Sequence, residues 1–419
     1  MRLKQALLAM TAAAGLLTAV TTVAHADVPP PTQGNLRKYD ITATYVSGVS
    51  SGGYMANQLH VAHSSVFRGA GIMTAGPYGC ADGDDSAATI AQNACMKTSM
   101  RRKTPAELEQ MTRDRAAAGT VDPVANLSGD PVWLLHGSND QTVLRAVNDD
   151  LATYYRDFGA NVVYNTSTGA GHGWVSPLGT VSCASTASPY VNDCGTDPQR
   201  EMLGHLFGSV NAPAATLGGK LIQFDQNGHA PGGSAEAISM GKEGFAYVPQ
   251  ACESGPCKLM VALHGCYQYY GLIGDTFMDQ ANLNEYAGTN NMIVLYPQAK
   301  ESYHPILNPR GCWNWWGFGG DTQYAQKNGK QITAIMNMVT ALGGAAGGPG
   351  PTPTPTPTPT GSPSPECVTA HNVAHTMALR AYAVWGQTYA MGSGQHLGPW
   401  NSLTTSSIKQ TSPGNWVKC

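Results

Sequence analysis

The feature that most constrains the fold is the segment at residues 41–62, ITATYVSGVSSGGYMANQLHVA, in which a strand-like run passes through a Ser/Gly-rich turn into a helical pattern. Residues 42–46 are mostly β-branched or aromatic, as in strands. Apolar residues then recur at helical spacing from Met55 onward. A Gly-x-Ser-x-Gly motif between a strand and a helix is typical of a nucleophile elbow, a sharp turn that exposes the serine hydroxyl. The segment therefore predicts an α/β fold with a reactive serine.

Ser50 is the central residue of this motif, and Gly48 and Gly52 lie two positions to either side of it. Glycines suit these positions because the strand and the helix pass close to each other. Since Ser51 begins the helix, we expect its amide to bind the oxygen that becomes negative during acyl transfer. The motif alone is weak in a chain with 49 glycines, and a Gly/Ser-rich loop is the alternative interpretation.

Two later segments supply a candidate acid and a candidate base. Asp140 follows a strand-like run at residues 132–135, and His172 lies among glycines after a short strand at residues 162–164. Catalytic side chains gather at the carboxyl ends of strands in α/β sheets. The chain order serine, aspartate, histidine is that of α/β-hydrolases, and it predicts a catalytic triad of Ser50, Asp140 and His172. The plainer alternatives are an aspartate in a turn and an exposed loop histidine.

A second oxyanion donor is expected much later in the chain. Residues 258–263 form an apolar strand-like run that ends in His-Gly-Cys at residues 264–266, and the amide of Cys266 is the candidate donor. The His-Gly pair at residues 136–137 competes for this role, although its apolar run is shorter. In ordinary α/β-hydrolases the oxyanion strand precedes the nucleophile strand, whereas here it follows both the serine and the histidine. We therefore expect a circularly permuted α/β-hydrolase catalytic domain.

The string RGCWNWWG holds three tryptophans in four positions. A disulfide between Cys312 and Cys266 would place this loop beside the oxyanion donor. The three indole rings would then form an apolar wall that binds substrate. These candidate substrate-binding residues are Trp313, Trp315 and Trp316. A local aromatic cluster under a loop is an equally good interpretation of the same residues.

The start of the chain is typical of a secretory signal peptide, with Arg2 and Lys4, an apolar run over residues 6–20 and a small-x-small site that ends at Ala26. We expect cleavage after Ala26 and a secreted, extracellular protein that does not associate with a membrane. Charged residues make up 12% of the chain and the net charge is −3, so the composition gives no indication of a nucleic-acid partner.

The ten cysteines are an even number, which predicts disulfides in an oxidising compartment. Nearness in sequence suggests the pairs Cys80–Cys95, Cys183–Cys194 and Cys252–Cys257, with Cys367–Cys419 closing the last segment and Cys266–Cys312 remaining. None of the cysteines has the spacing of a zinc site, and His371 and His375 lack a third ligand. We therefore expect no metal and no cofactor.

Proline-threonine repeats within residues 343–366 predict an extended linker. The predicted domains are a signal peptide at residues 1–26, a catalytic domain at 27–342, this linker and a small disulfide-closed substrate-binding module at 367–419. The module is too small to be stable without its disulfide. Its aromatic residues suggest a surface that adsorbs to an insoluble polymer, and they are Tyr382, Trp385, Tyr389, Trp400 and Trp416.

Taken together, these motifs resemble those of the secreted poly(3-hydroxybutyrate) depolymerases. The resemblance rests on the signal peptide, the GVSSGGYM motif, the serine-aspartate-histidine order and the late LHGC and GCWNWW motifs. It implies a serine esterase that hydrolyses a solid polyester to short hydroxy acid oligomers through an acyl-enzyme. It also implies that Ser51 and Cys266 donate the oxyanion amides, that the partner is the insoluble polyester and that no cofactor is used. We expect the enzyme to be a monomer.

Two other functions are compatible with the same sequence. A feruloyl or acetyl esterase acting on plant polysaccharide shares the fold and carries similar linkers and binding modules. A binding protein with an inactive hydrolase domain would keep the same C-terminal module. Release of ferulate or acetate from xylan identifies the first alternative, and inertness toward p-nitrophenyl butyrate identifies the second.

Overall fold

The structure is a computed structural model that describes residues 27–82, 87–304, 306–344, 367–378, 380–384, 386–412 and 415–419. The predicted signal peptide, most of the predicted linker and Trp385 lie outside the described residues. The chain divides into two compact units, Met1–Gly350 and Pro351–Cys419. Among the described residues, no helix has both the length and the apolar character needed to cross a membrane.

The first unit alternates strands with helices. Its strands are β1 (Thr32–Gln33), β2 (Ile41–Val49), β3 (Phe67–Met73), β4 (Pro131–Leu135), β5 (Asn161–Asn165), β6 (Trp174–Val175), β7 (Val181–Ser182), β8 (Val191–Asp193), β9 (Lys220–Asp225), β10 (Glu243–Val248), β11 (Cys257–Leu263) and β12 (Met292–Tyr296). Its α-helices are α1 (Ser51–Ala62), α2 (Ala87–Ile90), α3 (Pro105–Ala117), α4 (Arg145–Asp157), α5 (Pro198–Phe207), α6 (Tyr270–Ile273), α7 (Thr276–Gln280), α8 (Asn284–Asn290) and α9 (Lys330–Leu342). A π-helical turn spans Ala91–Met96, and 3-10 turns span Val124–Leu127, Gln226–Gly228, Pro231–Gly233, Glu236–Ile238, Gln250–Glu253 and Phe318–Gly320.

Within the described residues the main sheet has nine strands in the order β1-β9-β10-β12-β11-β2-β3-β4-β5. The strands from β12 to β5 run parallel, whereas β10 is antiparallel to both of its neighbours. The central strand β12, MIVLY, is buried along its whole length, as expected of a strand covered on both faces. Helices α1, α3, α4 and α9 contribute to the core on one face, and α5, α7 and α8 contribute to the core on the other.

The strand that leads into the serine motif lies in the middle of the sheet although it comes early in the chain. β11 pairs with β2 in parallel, with Leu263 opposite Gly48. The amide of Tyr39, just before β2, donates to the carbonyl of Leu342 at the end of α9 over 2.9 Å. Because the two ends of the fold meet, it can be opened at a new position without changing the sheet. The predicted permuted α/β-hydrolase fold is therefore confirmed.

The ten cysteines form the five predicted disulfides. Nearness in sequence suggested Cys80–Cys95, Cys183–Cys194 and Cys252–Cys257, and the other two are Cys266–Cys312 and Cys367–Cys419. Cys266–Cys312 has a sequence separation of 46 residues and joins the loop after β11 to the tryptophan-rich loop. A chain with its cysteines in disulfides fits a secreted protein.

The second unit is small and built from short strands. Its elements are β13 (Val368–His371), α10 (Asn372–Met377), β14 (Ala381–Val384), β15 (Gln387–Ala390), β16 (His396–Pro399), β17 (Thr405–Ser412) and β18 (Asn415–Lys418). They form two three-stranded sheets, β13-β17-β18 and β14-β15-β16, within the residues described. Ala381, Ala390, Leu397 and Ile408 are its buried hydrophobic core. So small a core explains why the Cys367–Cys419 disulfide is needed.

Candidate active site

Ser50 occupies a strained turn between β2 and α1. Its φ is 56° and its ψ is −123°, a conformation that costs of order 1–3 kcal/mol for a residue other than glycine. Two backbone hydrogen bonds hold it, because its amide donates to the carbonyl of Met73 and its carbonyl accepts from the amide of Tyr54, each over 3.0 Å. The sharp turn is the geometry that the Gly-x-Ser-x-Gly motif predicts.

The two motif glycines are required by close backbone contacts. A side-chain carbon on Gly48 would lie 2.2 Å from the carbonyl oxygen of Gly52. A side-chain carbon on Gly52 would lie 2.3 Å from the carbonyl oxygen of Leu263, on the neighbouring strand β11. Any larger residue would therefore force α1 away from the sheet and displace Ser50.

The structure brings the three predicted triad residues together. Nε2 of His172 lies 2.8 Å from Oγ of Ser50, and Nδ1 of His172 lies 2.8 Å from Oδ2 of Asp140. Asp140 lies in the loop after β4, and its other oxygen accepts the amide of Thr142 over 2.7 Å. His172 lies in the loop after β5, and its amide donates to Oγ1 of Thr186 over 2.9 Å. Each side chain is thus held from more than one direction.

Thr74 is a fourth side chain at this site, and our sequence analysis did not single it out. Its hydroxyl donates to Oδ2 of Asp140 and lies 3.2 Å from Nδ1 of His172. Thr74 directly follows β3, is 1% exposed and has a φ of 50°. A positive φ is a genuine outlier for a β-branched residue. The one available signal was its position at the carboxyl end of a strand next to β2, where functional side chains collect.

The environment keeps Asp140 ionised. Burial would raise the pKa of its carboxyl, but the neighbouring His172, the hydroxyl of Thr74 and the amide of Thr142 together lower the pKa below its ordinary value. An ionised carboxylate accepts hydrogen bonds only, so Nδ1 of His172 carries a proton and Nε2 is free to accept one from Ser50. This is the protonation state that a general base needs.

The residues that carry the two predicted oxyanion amides both lie next to the serine. Ser51 is the first residue of α1, where helix amides have no intrahelical acceptor. Gly265 packs against Ser50, since a side-chain carbon on it would lie 3.3 Å from Cβ of Ser50, and Cys266 follows directly. Among the residues that the structure describes, neither the Ser51 amide nor the Cys266 amide has an acceptor. Both are therefore available to an oxyanion.

His264 fixes the direction of the Cys266 amide. Its Nε2 accepts the amide of Ala299 over 3.1 Å, so its Nδ1 carries the proton and donates to the carbonyl of Gly265 over 2.7 Å. In a trans peptide the carbonyl and the following N–H point in opposite directions, so holding the Gly265 carbonyl also aims the N–H of Cys266. Gln268 supports the same loop, because its Oε1 accepts the amide of Gly265 over 2.7 Å.

The competing His-Gly pair has a different role. Nε2 of His136 lies 2.9 Å from the carbonyl oxygen of Val143. Gly137 packs against the backbone of Ala170, because a side-chain carbon on Gly137 would lie 2.2 Å from the carbonyl oxygen of Ala170. Neither residue lines the cleft beside Ser50. The pair instead supports the loops that carry the aspartate and the histidine.

Two compartments of a cleft meet at Ser50. The larger has a volume of about 290 Å³ and the smaller has a volume of about 220 Å³. The residues that line both are Ser50, Met96, Cys266 and Arg310. Those that line the smaller one alone include His172, Thr186, Tyr190, Tyr267 and Gln268. Those that line the larger one alone include Tyr54, Leu307, Trp315 and Trp316.

The three tryptophans do not share one role. Trp315 stacks on Tyr54 with ring centroids 3.9 Å apart and faces the larger compartment with Trp316. Trp313 is 0% exposed, and its indole N–H donates to the carbonyl of His264 over 3.0 Å. The expectation that Trp313 binds substrate is therefore wrong, because its side chain belongs to the core beneath the oxyanion loop. The loop therefore buries Trp313 and places the adjacent Trp315 and Trp316 at the cleft, which the spacing alone did not reveal.

Comparison with known proteins agrees with this geometry. Residues 35–187 match the prolyl oligopeptidase family. The poly(3-hydroxybutyrate) depolymerase of Delftia acidovorans is 34% identical to this chain, and the match covers 91% of this chain and 92% of that protein. The polyhydroxybutyrate depolymerase of Talaromyces funiculosus is 39% identical over 275 residues, which cover 63% of this chain and 77% of that protein.

Solved structures give the same result. A PHB depolymerase complexed with an R3HB trimer superposes with a TM-score of 0.67 at 36% identity, covering 74% of this chain and 99% of that chain. The crystal structure of the PHB depolymerase from Penicillium funiculosum matches with the same TM-score, identity and coverage.

Proposed function

This chain belongs to the family of poly(3-hydroxybutyrate) depolymerases, and from this premise we propose that Ser50, His172 and Asp140 carry out its reaction. The protein is a serine hydrolase that cleaves the ester bonds of poly(3-hydroxybutyrate). The observation that carries the assignment of roles is the 2.8 Å approach of Nε2 of His172 to Oγ of Ser50, with Asp140 on the other ring nitrogen. The feruloyl or acetyl esterase alternative is not favoured, because the full-length relative is a polyester depolymerase.

Acylation begins when Ser50 attacks an ester carbonyl of the polymer. His172 accepts the serine proton at Nε2, and Asp140 stabilises the resulting imidazolium through Nδ1. The carbonyl oxygen becomes an oxyanion that the amides of Ser51 and Cys266 stabilise. His172 then returns the proton to the ester oxygen, the bond breaks, and a fragment ending in a hydroxyl group leaves.

Deacylation repeats the same steps with water as the nucleophile. His172 removes a proton from water, the hydroxide attacks the acyl-Ser50 ester, and the same two amides stabilise the second oxyanion. Collapse of this intermediate releases a fragment ending in a carboxylate and restores the serine hydroxyl. The products are short hydroxy acid oligomers.

The cleft gives the polymer chain a direction. His172 lines the smaller compartment, and it is the group that protonates the leaving oxygen. We therefore assign the leaving alcohol segment to the smaller compartment. The acyl segment then lies in the larger compartment, where Trp315 and Trp316 supply an apolar wall for its methyl groups.

The predicted domain organisation gives the enzyme access to a solid substrate. We assign catalysis to residues 27–342, a linker to residues 343–366 and polymer adsorption to residues 367–419. Adsorption of the module raises the local concentration of the catalytic domain at the polymer surface. Secretion fits this substrate, because a solid polymer outside the cell is reached only by an exported enzyme, and the disulfides fit an oxidising compartment.

Two stacked rings identify a face of the module that is suited to adsorption. Tyr382 and Tyr389 lie opposite each other on β14 and β15 with ring centroids 5.6 Å apart. His396 continues the row on β16, with its ring 5.2 Å from that of Tyr389. A row of rings on one sheet face can lie against an apolar polymer surface.

Replacing the serine tests the assignment of roles. Ser50→Ala removes the nucleophile, and we expect hydrolysis of p-nitrophenyl butyrate and clearing of a poly(3-hydroxybutyrate) film to fall by about 10⁴-fold or more. Adsorption of the variant to the film should persist, because the module is unchanged. A Ser50→Ala variant that still clears the film would overturn the assignment.

A further inference from the structure

The cleft beside Ser50 holds a single permanently charged side chain among the described residues. Arg310 lines both compartments, and neither compartment is lined by an aspartate or a glutamate. The other lining groups are apolar side chains, hydroxyls, amides and the catalytic histidine. No side chain that lines either compartment therefore carries a negative charge that would pair with this cation.

The backbone of Arg310 is held in place while its guanidinium stays exposed. The amide of Tyr267 donates to the carbonyl of Arg310 over 2.8 Å, and the Cys266–Cys312 disulfide joins the same two loops. The guanidinium carbon lies 5.9 Å from the ring centroid of Tyr267, which lines the smaller compartment. Among the described residues Arg310 has no ion-pair partner, unlike the arginines at positions 37, 101, 102 and 115.

The substrate carries one kind of group that such a cation would bind. A chain of esterified hydroxy acids is uncharged along its length, and only its carboxyl end is ionised at neutral pH. The leaving alcohol of each cleavage is the part of the chain that runs toward this end. Because His172 protonates the leaving oxygen, that part lies in the compartment that His172 and Arg310 both line. The carboxyl end of the chain is thus expected in a compartment that the cation lines.

We propose that Arg310 forms a carboxylate-binding subsite that selects the free carboxyl end of the polymer and of its soluble oligomers. This inference rests on the proposed function, because it uses the direction that His172 gives to the chain. A guanidinium pairs with a carboxylate through two parallel hydrogen bonds. Cleavage near a bound chain end would release the terminal hydroxy acid units as the alcohol product.

The test compares two trimers of 3-hydroxybutyrate that differ only at the carboxyl end. One ends in a carboxylate and the other in a carboxamide, which has a similar shape and no charge. For the wild-type enzyme we expect kcat/KM for the carboxylate trimer to be roughly fivefold higher, the scale of one partly exposed ion pair. Raising the salt to 1 M should bring the ratio close to one, because exposed charges are screened.

Three variants test whether Arg310 causes the preference for the carboxylate trimer. Arg310→Gln should reduce the ratio to about one, and Arg310→Lys should retain part of it because lysine keeps the charge without the paired donors. Arg113→Gln removes one positive charge from α3, outside both compartments, and should keep the wild-type ratio. Each ratio is taken within one enzyme preparation, so a variant with a lower overall rate is still informative.

The outcomes separate this inference from the proposed function. Equal cleavage of both trimers by the wild-type enzyme, or an unchanged ratio in Arg310→Gln, overturns the carboxylate subsite and leaves the depolymerase assignment intact. Failure to cleave either trimer, with p-nitrophenyl butyrate still hydrolysed, overturns the proposed binding of the polymer chain itself.

Discussion

The hydroxyl of Thr74 donates a hydrogen bond to Oδ2 of Asp140, the same oxygen that accepts Nδ1–H of His172. Thr74 is buried and has a φ of 50°. Glycine would adopt this backbone conformation without the strain of order 1–3 kcal/mol that a β-branched residue bears. We infer that threonine is present at this position because its hydroxyl positions the carboxylate of Asp140.

Thr74→Val keeps the shape of the side chain and removes the hydroxyl. We expect kcat on p-nitrophenyl butyrate to fall about tenfold, the scale of one lost hydrogen bond to a charged group. Thr74 lines neither compartment of the cleft, so KM for p-nitrophenyl butyrate should stay close to the wild-type value.

Thr74→Ser is the matched control, because serine keeps the hydroxyl without the branched methyl group. It should retain most of the wild-type kcat. A merely structural role would lower the stability of the valine variant without lowering its kcat, and that result would contradict the positioning role.

Burial of His264 makes the folded state sensitive to acid. Burial lowers the pKa of His264 to about 4, whereas an unfolded histidine titrates near 6.5. Between these values the unfolded state takes up a proton that the folded state does not, so the free energy of unfolding falls as the pH drops through this window. The loss from this residue should reach about 2 kcal/mol at pH 5.

Urea unfolding at pH 7.5 and pH 5 measures this loss. His264→Asn cannot titrate, so its unfolding free energy should change less between the two pH values than that of the wild-type enzyme. Burial also lowers the pKa of His63 to about 4, and the comparison removes its contribution because both proteins contain it. Parallel pH dependences for the two proteins would show that His264 is not the acid-sensitive group.

The placement of Trp315 and Trp313 predicts opposite effects for two similar substitutions. Trp315→Phe keeps a ring to stack on Tyr54 but shortens the apolar wall of the larger compartment. We expect kcat/KM for hydroxybutyrate oligomers to fall several-fold, with a smaller loss of stability than Trp313→Phe causes. Trp313→Phe leaves the buried carbonyl of His264 without its donor, which should cost about 1–3 kcal/mol of stability. Kinetics and thermal unfolding of both variants test this contrast. Equal effects of the two substitutions on stability would contradict it.

The C-terminal module should matter only for solid substrate. Removing residues 351–419 deletes the second compact unit and leaves the first. We expect hydrolysis of p-nitrophenyl butyrate to persist and hydrolysis of polymer film at low enzyme concentration to fall at least tenfold, because the local concentration at the surface is lost. A truncated enzyme that degrades film at the wild-type rate would argue against an adsorbing role.

The central architecture could be predicted from sequence because its signals are local. The apolar strand runs, the Ser50 motif between a strand and a helix, and the chain order of Asp140 and His172 each depend on a few neighbouring residues. The permutation followed from comparing the order of such segments. Three disulfides followed from short spacings, Cys367–Cys419 from its position around the last segment, and Cys266–Cys312 from the two cysteines that remained.

The details of the site depend on packing that no local pattern encodes. Thr74 meets Asp140 only because β3 and β4 are neighbours in the sheet. Trp313 and Trp315 have similar sequence surroundings, and only the three-dimensional path of the loop buries one and places the other at the cleft. Arg310 likewise lines both compartments only because two loops that are distant in sequence meet at the cleft.

The most direct test of the account is to identify the residue that becomes covalently modified. An alkyl p-nitrophenyl phosphonate resembles the tetrahedral intermediate and reacts with an activated serine. The account predicts one equivalent of label, located on the peptide that contains Ser50, with loss of esterase activity in proportion to labelling. It also predicts no label in Ser50→Ala. Stoichiometric label on another residue, or full activity after Ser50 is labelled, would contradict the central claim.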